Sequence, residues 1–269
     1  MNICLVNPTP QKIVEFHGVG IPHIGLGYLA SYLRRYMENI NLLVIDGKYE
    51  NLNQKDLEIS WDLDQTLSLS EEPVKAQCDK DFGTNYLLSK RVDGWHSISK
   101  WLLEDGKLDP KEAADYESRL WVNGDVLRLA PPNDYLRWLS FTAYRRGIPQ
   151  SVTTVRVPGL RRATYEWLGE HFWWISPGKI NFKIGMGVTG AEFKMETIVQ
   201  KYKKNPCLVH IDDDLKITRP LLARAPGLGL IGIKYPSDNV EDINYAPNRV
   251  FLDRDTLGRT ILTAQLFVL

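Results

Sequence analysis

Two hydrophobic periods alternate along this chain. Short apolar runs, "NICLVNP" at 2–8, "INLLVIDG" at 40–47, "LEIS" leading to Trp61, "IPQSVTTV" at 148–155, "KINFKIG" at 179–185, "PCLVHI" at 206–211 and "LGLIGIKY" at 228–235, read as strands. Between them lie stretches of helical period. Leu26, Leu29, Leu33 and Tyr36 share one face of "IPHIGLGYLASYLRRYMEN", and Leu136, Leu139 and Ala143 share one face of the segment that Asn133 opens and Gly147 closes. Leu160, Ala163, Trp167 and Leu168 mark a further helix, and Met195, Ile198, Val199 and Tyr202 another. Strands alternating with helices imply an α/β fold: a Rossmann-like parallel sheet with helices on both faces and ligands at the carboxyl ends of its strands. Residues of about 70–130, richer in charge and Trp, carry no strand signal and read as a small, mainly helical insertion.

Bulk properties narrow the function. With 33 basic and 33 acidic residues the formal charge is zero, so no global field favours nucleic acid or an anionic membrane. Cys4, Cys78 and Cys207 have no spacing suited to zinc, an iron–sulfur cluster or a disulfide frame. The start "MNICLVNP" has no secretory pattern, and no apolar run approaches the roughly 20 residues of a membrane span. A soluble protein of a reducing cytoplasm is the expectation.

Four strand ends carry the residues of interest. Asp62, Asp64 and Thr66 follow the first in "DLDQT", Thr153 and Thr154 close the next, Lys194 opens a helix in "FKMETI", and Asp212, Asp213 and Asp214 follow "VHI". In type and order these resemble the four motifs of the haloacid dehalogenase (HAD) superfamily, most of whose members are metal-dependent phosphohydrolases, over about residues 58–235. The resemblance implies Asp62 as nucleophile, Asp64 as general acid and base, Thr154 as a phosphoryl contact and Lys194 as the neutralising cation. Thr154 is preferred to Thr153 because "TVR" before an amphipathic helix fits the family spacing better, and Lys194 to Lys183 because it opens a helix. It further implies Mg2+ held by Asp62, the backbone carbonyl of Asp64 and Asp212, with Asp213 taking part directly or through water. Gln65 stands where glycine is common in the family.

The chemistry explains the grouping, since a phosphate monoester dianion repels an attacking carboxylate unless a cation and a lysine offset the charge. A second Asp-x-Asp, Asp253 and Asp255, lacks the remaining motifs and reads as a surface turn. Arg91, Trp95, His96 and Trp101 lie where the insertion would form a cap, as candidate leaving-group contacts or as cap packing.

Residues 1–57 form a separate βαβ unit that resembles a truncated first half of a cobalamin-binding domain, without the Asp of the base-off signature before "PHIG". Its apolar helix face needs cover, from the 58–269 phosphatase domain or from a second copy in a homodimer. The expected activity is a Mg2+-dependent phosphatase for a small phosphorylated metabolite. The alternatives are another phosphoryl transferase of the same superfamily, or a non-catalytic module binding a corrinoid or a protein through residues 1–57.

Overall fold

The structure, a computed structural model, describes residues 2–7, 41–46, 57–92, 96–183, 187–234 and 249–253. Its centre is a six-stranded sheet built from β3 (Glu58–Trp61), β4 (Gln150–Thr154), β5 (Ile180–Phe182), β6 (Leu208–Asp212), β7 (Gly229–Lys234) and β8 (Arg249–Asp253). All neighbours pair in parallel in the order β5-β4-β3-β6-β7-β8. The chain enters at β3, builds outward to β5, then crosses back to lay β6 on the other side of β3. That reversal opens a crevice at the carboxyl ends of β3 and β6, the place where sheets of this kind hold ligands. Asp62 follows β3 directly and Asp212 ends β6, so both acids stand at the crevice.

Alternation along the strands divides the core. Ile59, Trp61, Val152, Val209, Ile211 and Ile231 face one way and pack with α6 (Asp134–Arg145) and α7 (Arg161–His171) through Leu136, Trp167 and Leu168. Leu208 and Leu230 face the other way and pack with α8 (Gly190–Lys204) and α9 (Leu215–Arg224) through Ile198, Val199, Leu221 and Leu222. Both sides are covered, as a parallel sheet requires. Asn133 caps α6 by accepting from the Leu136 N–H at 3.4 Å. At the other end Gly147 takes φ +71°, and the N–H groups of Gly147 and Ile148 return to the carbonyls of Tyr144 and Ala143. This paired closure of the last turn favours glycine, which alone adopts a left-handed φ without Cβ strain.

The insertion is helical, as the sequence implies: α1 (Glu71–Phe82), α2 (Tyr86–Ser89), α3 (Ser97–Glu104), α4 (Pro110–Trp121) and α5 (Gly124–Arg128). It has its own core of Val74, Cys78, Tyr86, Ile98, Leu102, Leu120 and Leu127, joined to the main body by Leu160. Trp101 belongs to that core, 7% exposed and edge-on to Tyr86 with ring centroids 5.3 Å apart. It is a packing residue. His96 is exposed, Arg91 half-buried, and Trp95 lies outside the described residues.

One element corrects the sequence reading. "LGLIGIKY" is followed by a further strand, β8, whose Val250, Phe251 and Leu252 pair with Ile231, Gly232 and Ile233 of β7. Asp253 therefore ends an edge strand instead of sitting in a surface turn, because the β-rich run before it completes a ladder that local spacing of the acids does not reveal. Asp255 is outside the described residues. Ahead of the main sheet, β1 (Asn2–Asn7) and β2 (Asn41–Asp46) pair in parallel, consistent with the expected βαβ unit, while the intervening helix and the resemblance to a cobalamin-binding half-domain fall on residues outside those described. Among the described residues no helix is long and apolar enough to cross a membrane.

Candidate active site

Asp62 is presented by backbone bonding and by the residues on either side of it. Its N–H donates to the Ile211 carbonyl at 2.8 Å, continuing the ladder one residue past β3, and Trp61 and Leu63 are fully buried. The chain then doubles back: Gln65 takes φ +61°, its N–H bonds the Ser68 carbonyl, and the Ser68 N–H bonds the Leu63 carbonyl. A left-handed residue explains why glycine suits this position, and a Gln there carries local strain of about 1 kcal/mol. Leu67, fully buried, pins the loop before α1 leads away into the cap.

Lys194 rises from the second turn of α8, whose start is fixed by a reciprocal cap between Thr189 and Glu192. Its buried Nζ lies 2.9 Å from Asp62 Oδ1 and 2.9 Å from Asp212 Oδ2. Lys183 sits just past β5, with its N–H on the Thr154 carbonyl, so Lys194 is the lysine that joins the acids. Burial alone would lower the Lys194 ammonium pKa, but Asp212, Asp62 and Asp213 together raise it, so it stays charged. Burial pushes the Asp62 carboxyl well above the usual carboxylate range, Lys194 opposes this, and Asp212 and Asp213 add to it. Burial also works against ionised Asp212, yet Lys194 and His210 hold it down at about 2.

Asp62, Asp212 and Asp213 each offer a carboxylate oxygen, all within 4.8 Å of one another. Two buried acids and a half-buried one share a single lysine, and an all-oxygen donor set of this kind fits a hard divalent cation such as Mg2+. Thr66 Oγ1 donates to Asp213 Oδ1 at 3.4 Å, tying the loop after β3 to the acids after β6. Asp214 contributes its N–H to Asp212 Oδ1 at 2.8 Å and begins the turn into α9.

The two threonines point apart. One step beyond the Trp61–Val152 pair, Thr153 is level with Asp62, and its Oγ1 lies 3.5 Å from Ser60 Oγ on the side of the sheet that α8 covers. Thr154 Oγ1 instead accepts from the Arg156 N–H at 3.2 Å, shaping the turn after β4.

Asp64 is not beside Lys194 but in the fork of Arg156, whose Nε and Nη2 reach its carboxylate at 3.0 and 2.7 Å. Ser70, immediately before α1, donates to the same carboxylate, and Thr164 of α7 accepts from Arg156 Nη1 at 3.2 Å. Burial disfavours ionised Asp64, but the Arg156 charge and these hydrogen bonds bring its pKa below the ordinary value. Sequence reading missed both Arg156 and His210. The signal for His210 was present, a polar ring in the middle of "CLVHI"; Arg156 carried none beyond its nearness to Thr154.

No protein-family model matches the chain, and neither does any curated protein sequence. Solved structures do. A Clostridium difficile protein provisionally assigned as a phosphatase superposes with a TM-score of 0.51 at 14% identity, over 76% of this chain and 97% of that one. A subfamily IA HAD-superfamily hydrolase from Geobacter sulfurreducens gives 0.48 at 13%, over 77% and 96%. YfnB of Bacillus subtilis, a provisionally assigned HAD-hydrolase bound to magnesium, gives 0.48 at 14%, over 78% and 99%. At these identities the likeness is one of fold. With the strand order and the helical insertion after β3, it gives this chain a haloacid dehalogenase-like α/β fold.

Proposed function

We propose that the protein is a Mg2+-dependent phosphohydrolase acting on a small phosphate monoester through an aspartyl-phosphate. The observation that carries this reading is the placement of Asp62 at the end of the central strand, paired with Lys194 and gathered with Asp212 and Asp213 within 4.8 Å. Asp62 attacks phosphorus through a carboxylate oxygen, an O–P bond forms, and the bond to the leaving oxygen breaks. Lys194 offsets the negative charge that nucleophile and phosphoryl group bring together. Mg2+, held by Asp62, Asp212, Asp213 and the Asp64 carbonyl, would supply further charge neutralisation on the phosphoryl oxygens. Thr153 or Thr154 donates to a phosphoryl oxygen, Thr153 from beside Asp62 and Thr154 while its oxygen still accepts from the Arg156 N–H.

Asp64 serves both halves of the reaction, giving a proton to the leaving oxygen and then taking one from the water that hydrolyses the acyl phosphate. The Arg156 fork favours its carboxylate form, which suits the second half. For the first, Asp64 leaves that fork and arrives protonated as substrate enters. The inserted helices, attached directly after this loop, would cover the crevice as a cap and select the substrate.

Turnover of the full chain on a panel of phosphorylated metabolites with Mg2+ tests the reading. Release of inorganic phosphate from one or a few members, abolished by chelator, is the expected result. Phosphate returned to the organic product would make the protein a transferase of the same chemistry. An inert panel with no trapped phosphoenzyme would favour a non-catalytic binding module.

A further inference from the structure

Building on the phosphohydrolase reading, we propose that His210 is a positioning residue that fixes the carboxylate of Asp212 for cation binding. The ring is fully buried in the middle of β6, on the side of the strand that also carries Asp212. Its Nδ1 lies 3.0 Å from the Ser60 carbonyl and its Nε2 2.9 Å from Asp212 Oδ2. A backbone carbonyl and a carboxylate both only accept, so each ring nitrogen donates to its partner, and the ring bridges the nucleophile's strand, two residues before Asp62, to the acid at the end of the neighbouring strand.

The consequence lies in how the oxygens of Asp212 are used. Oδ2 faces both His210 Nε2 and Lys194 Nζ at 2.9 Å, which occupies it. Oδ1 takes the Asp214 N–H at 2.8 Å and a longer, weaker bond of 3.2 Å from Lys194, so it is the oxygen that yields to a cation more readily. His210 therefore determines which oxygen yields and prevents the carboxylate from rotating. An apolar side chain of similar volume would fill the same space in the sheet without these bonds. Groups that orient a metal-binding carboxylate from behind typically change metal affinity by roughly 10–100-fold when removed.

Two conservative variants separate orientation from packing. The amide nitrogen of Gln reaches about as far as Nε2, so His210→Gln keeps the donor to Asp212. That of Asn reaches about as far as Nδ1, so His210→Asn keeps only the link to Ser60. Mg2+ titrated calorimetrically into the full chain without substrate should bind His210→Gln within about threefold of the unaltered protein and His210→Asn about tenfold or more weakly. Independently of any variant, Mg2+ should shift the 15N resonance of His210 Nε2 in the unaltered protein. Equal affinities in all three proteins, a Gln variant as weak as the Asn variant, or an unmoved resonance would overturn the role of His210. Failure of the unaltered chain to bind Mg2+ at all would overturn the phosphohydrolase reading together with it.

Discussion

Asp62 is held where an ionised carboxylate is poorly tolerated, buried and close to two other acids, with Lys194 as its counterion. A raised folded-state pKa means that stability present below the unfolded carboxylate pKa is lost as pH rises through the folded value. Asp62→Asn should accordingly raise the melting temperature of the metal-free protein at neutral pH and shrink the further rise that Mg2+ gives. A lower melting temperature for the variant would show that the Lys194 pair outweighs the burial. Asp212 has the opposite sign. Its pKa is lowered from 3.8 to about 2, so its contribution to stability is complete above pH 4 and declines as pH falls through about 2. Arg156→Gln removes the fork from a carboxylate whose side chain keeps 26% exposure. The loss should be at or below the ~3 kcal/mol lower bound for breaking a fully buried pair, read by chemical denaturation. Under the proposed mechanism turnover should fall as well, because Asp64 loses the group that favours its ionised form.

At the scale of elements, the crevice depends on how closely β6 and β7 approach. A Cβ on Gly229 would lie 2.9 Å from Val209 Cγ2 and 3.3 Å from the Leu208 carbonyl, so Gly229→Ala forces the two strands apart. It should destabilise by ~1–3 kcal/mol, measured by denaturant unfolding, with weakened Mg2+ binding because β6 carries Asp212. The strands from β3 to β7 were legible because each is a compact apolar run bounded by turn residues, and the acids at their ends announced themselves by falling where apolar runs stop. The strand β8 was less legible, since five residues beside a pair of acids resemble a turn until β7 is there to pair with them. Register explains the rest. Whether Thr153 or Thr154 stands beside Asp62 depends on a cross-strand alignment that spacing along one chain does not carry, and the same holds for Arg156, 92 residues from the carboxylate it grips.

For the whole molecule, assembly turns on the side of β8 that faces away from β7. Residues of β1 and β2 lie near β8, at the edge of the main sheet. Removal of residues 1–56 should expose that edge and lower solubility or raise the sedimenting mass. A truncated chain that stays monomeric and soluble would show that β8 needs no such cover. The residues proposed as catalytic all lie after residue 57, in the body that shares its fold with the solved Clostridium difficile structure. Rapid acid quench of the full chain with Mg2+ and an accepted phosphate monoester, followed by intact-mass and peptide analysis, would reveal the covalent role of Asp62. The predicted result is one added phosphoryl group on the peptide bearing Asp62, absent from folded Asp62→Asn, whose turnover falls by roughly four orders of magnitude or more. A folded Asp62→Asn protein that turns over at the unaltered rate, or a phosphoryl group trapped on a different residue, would contradict it.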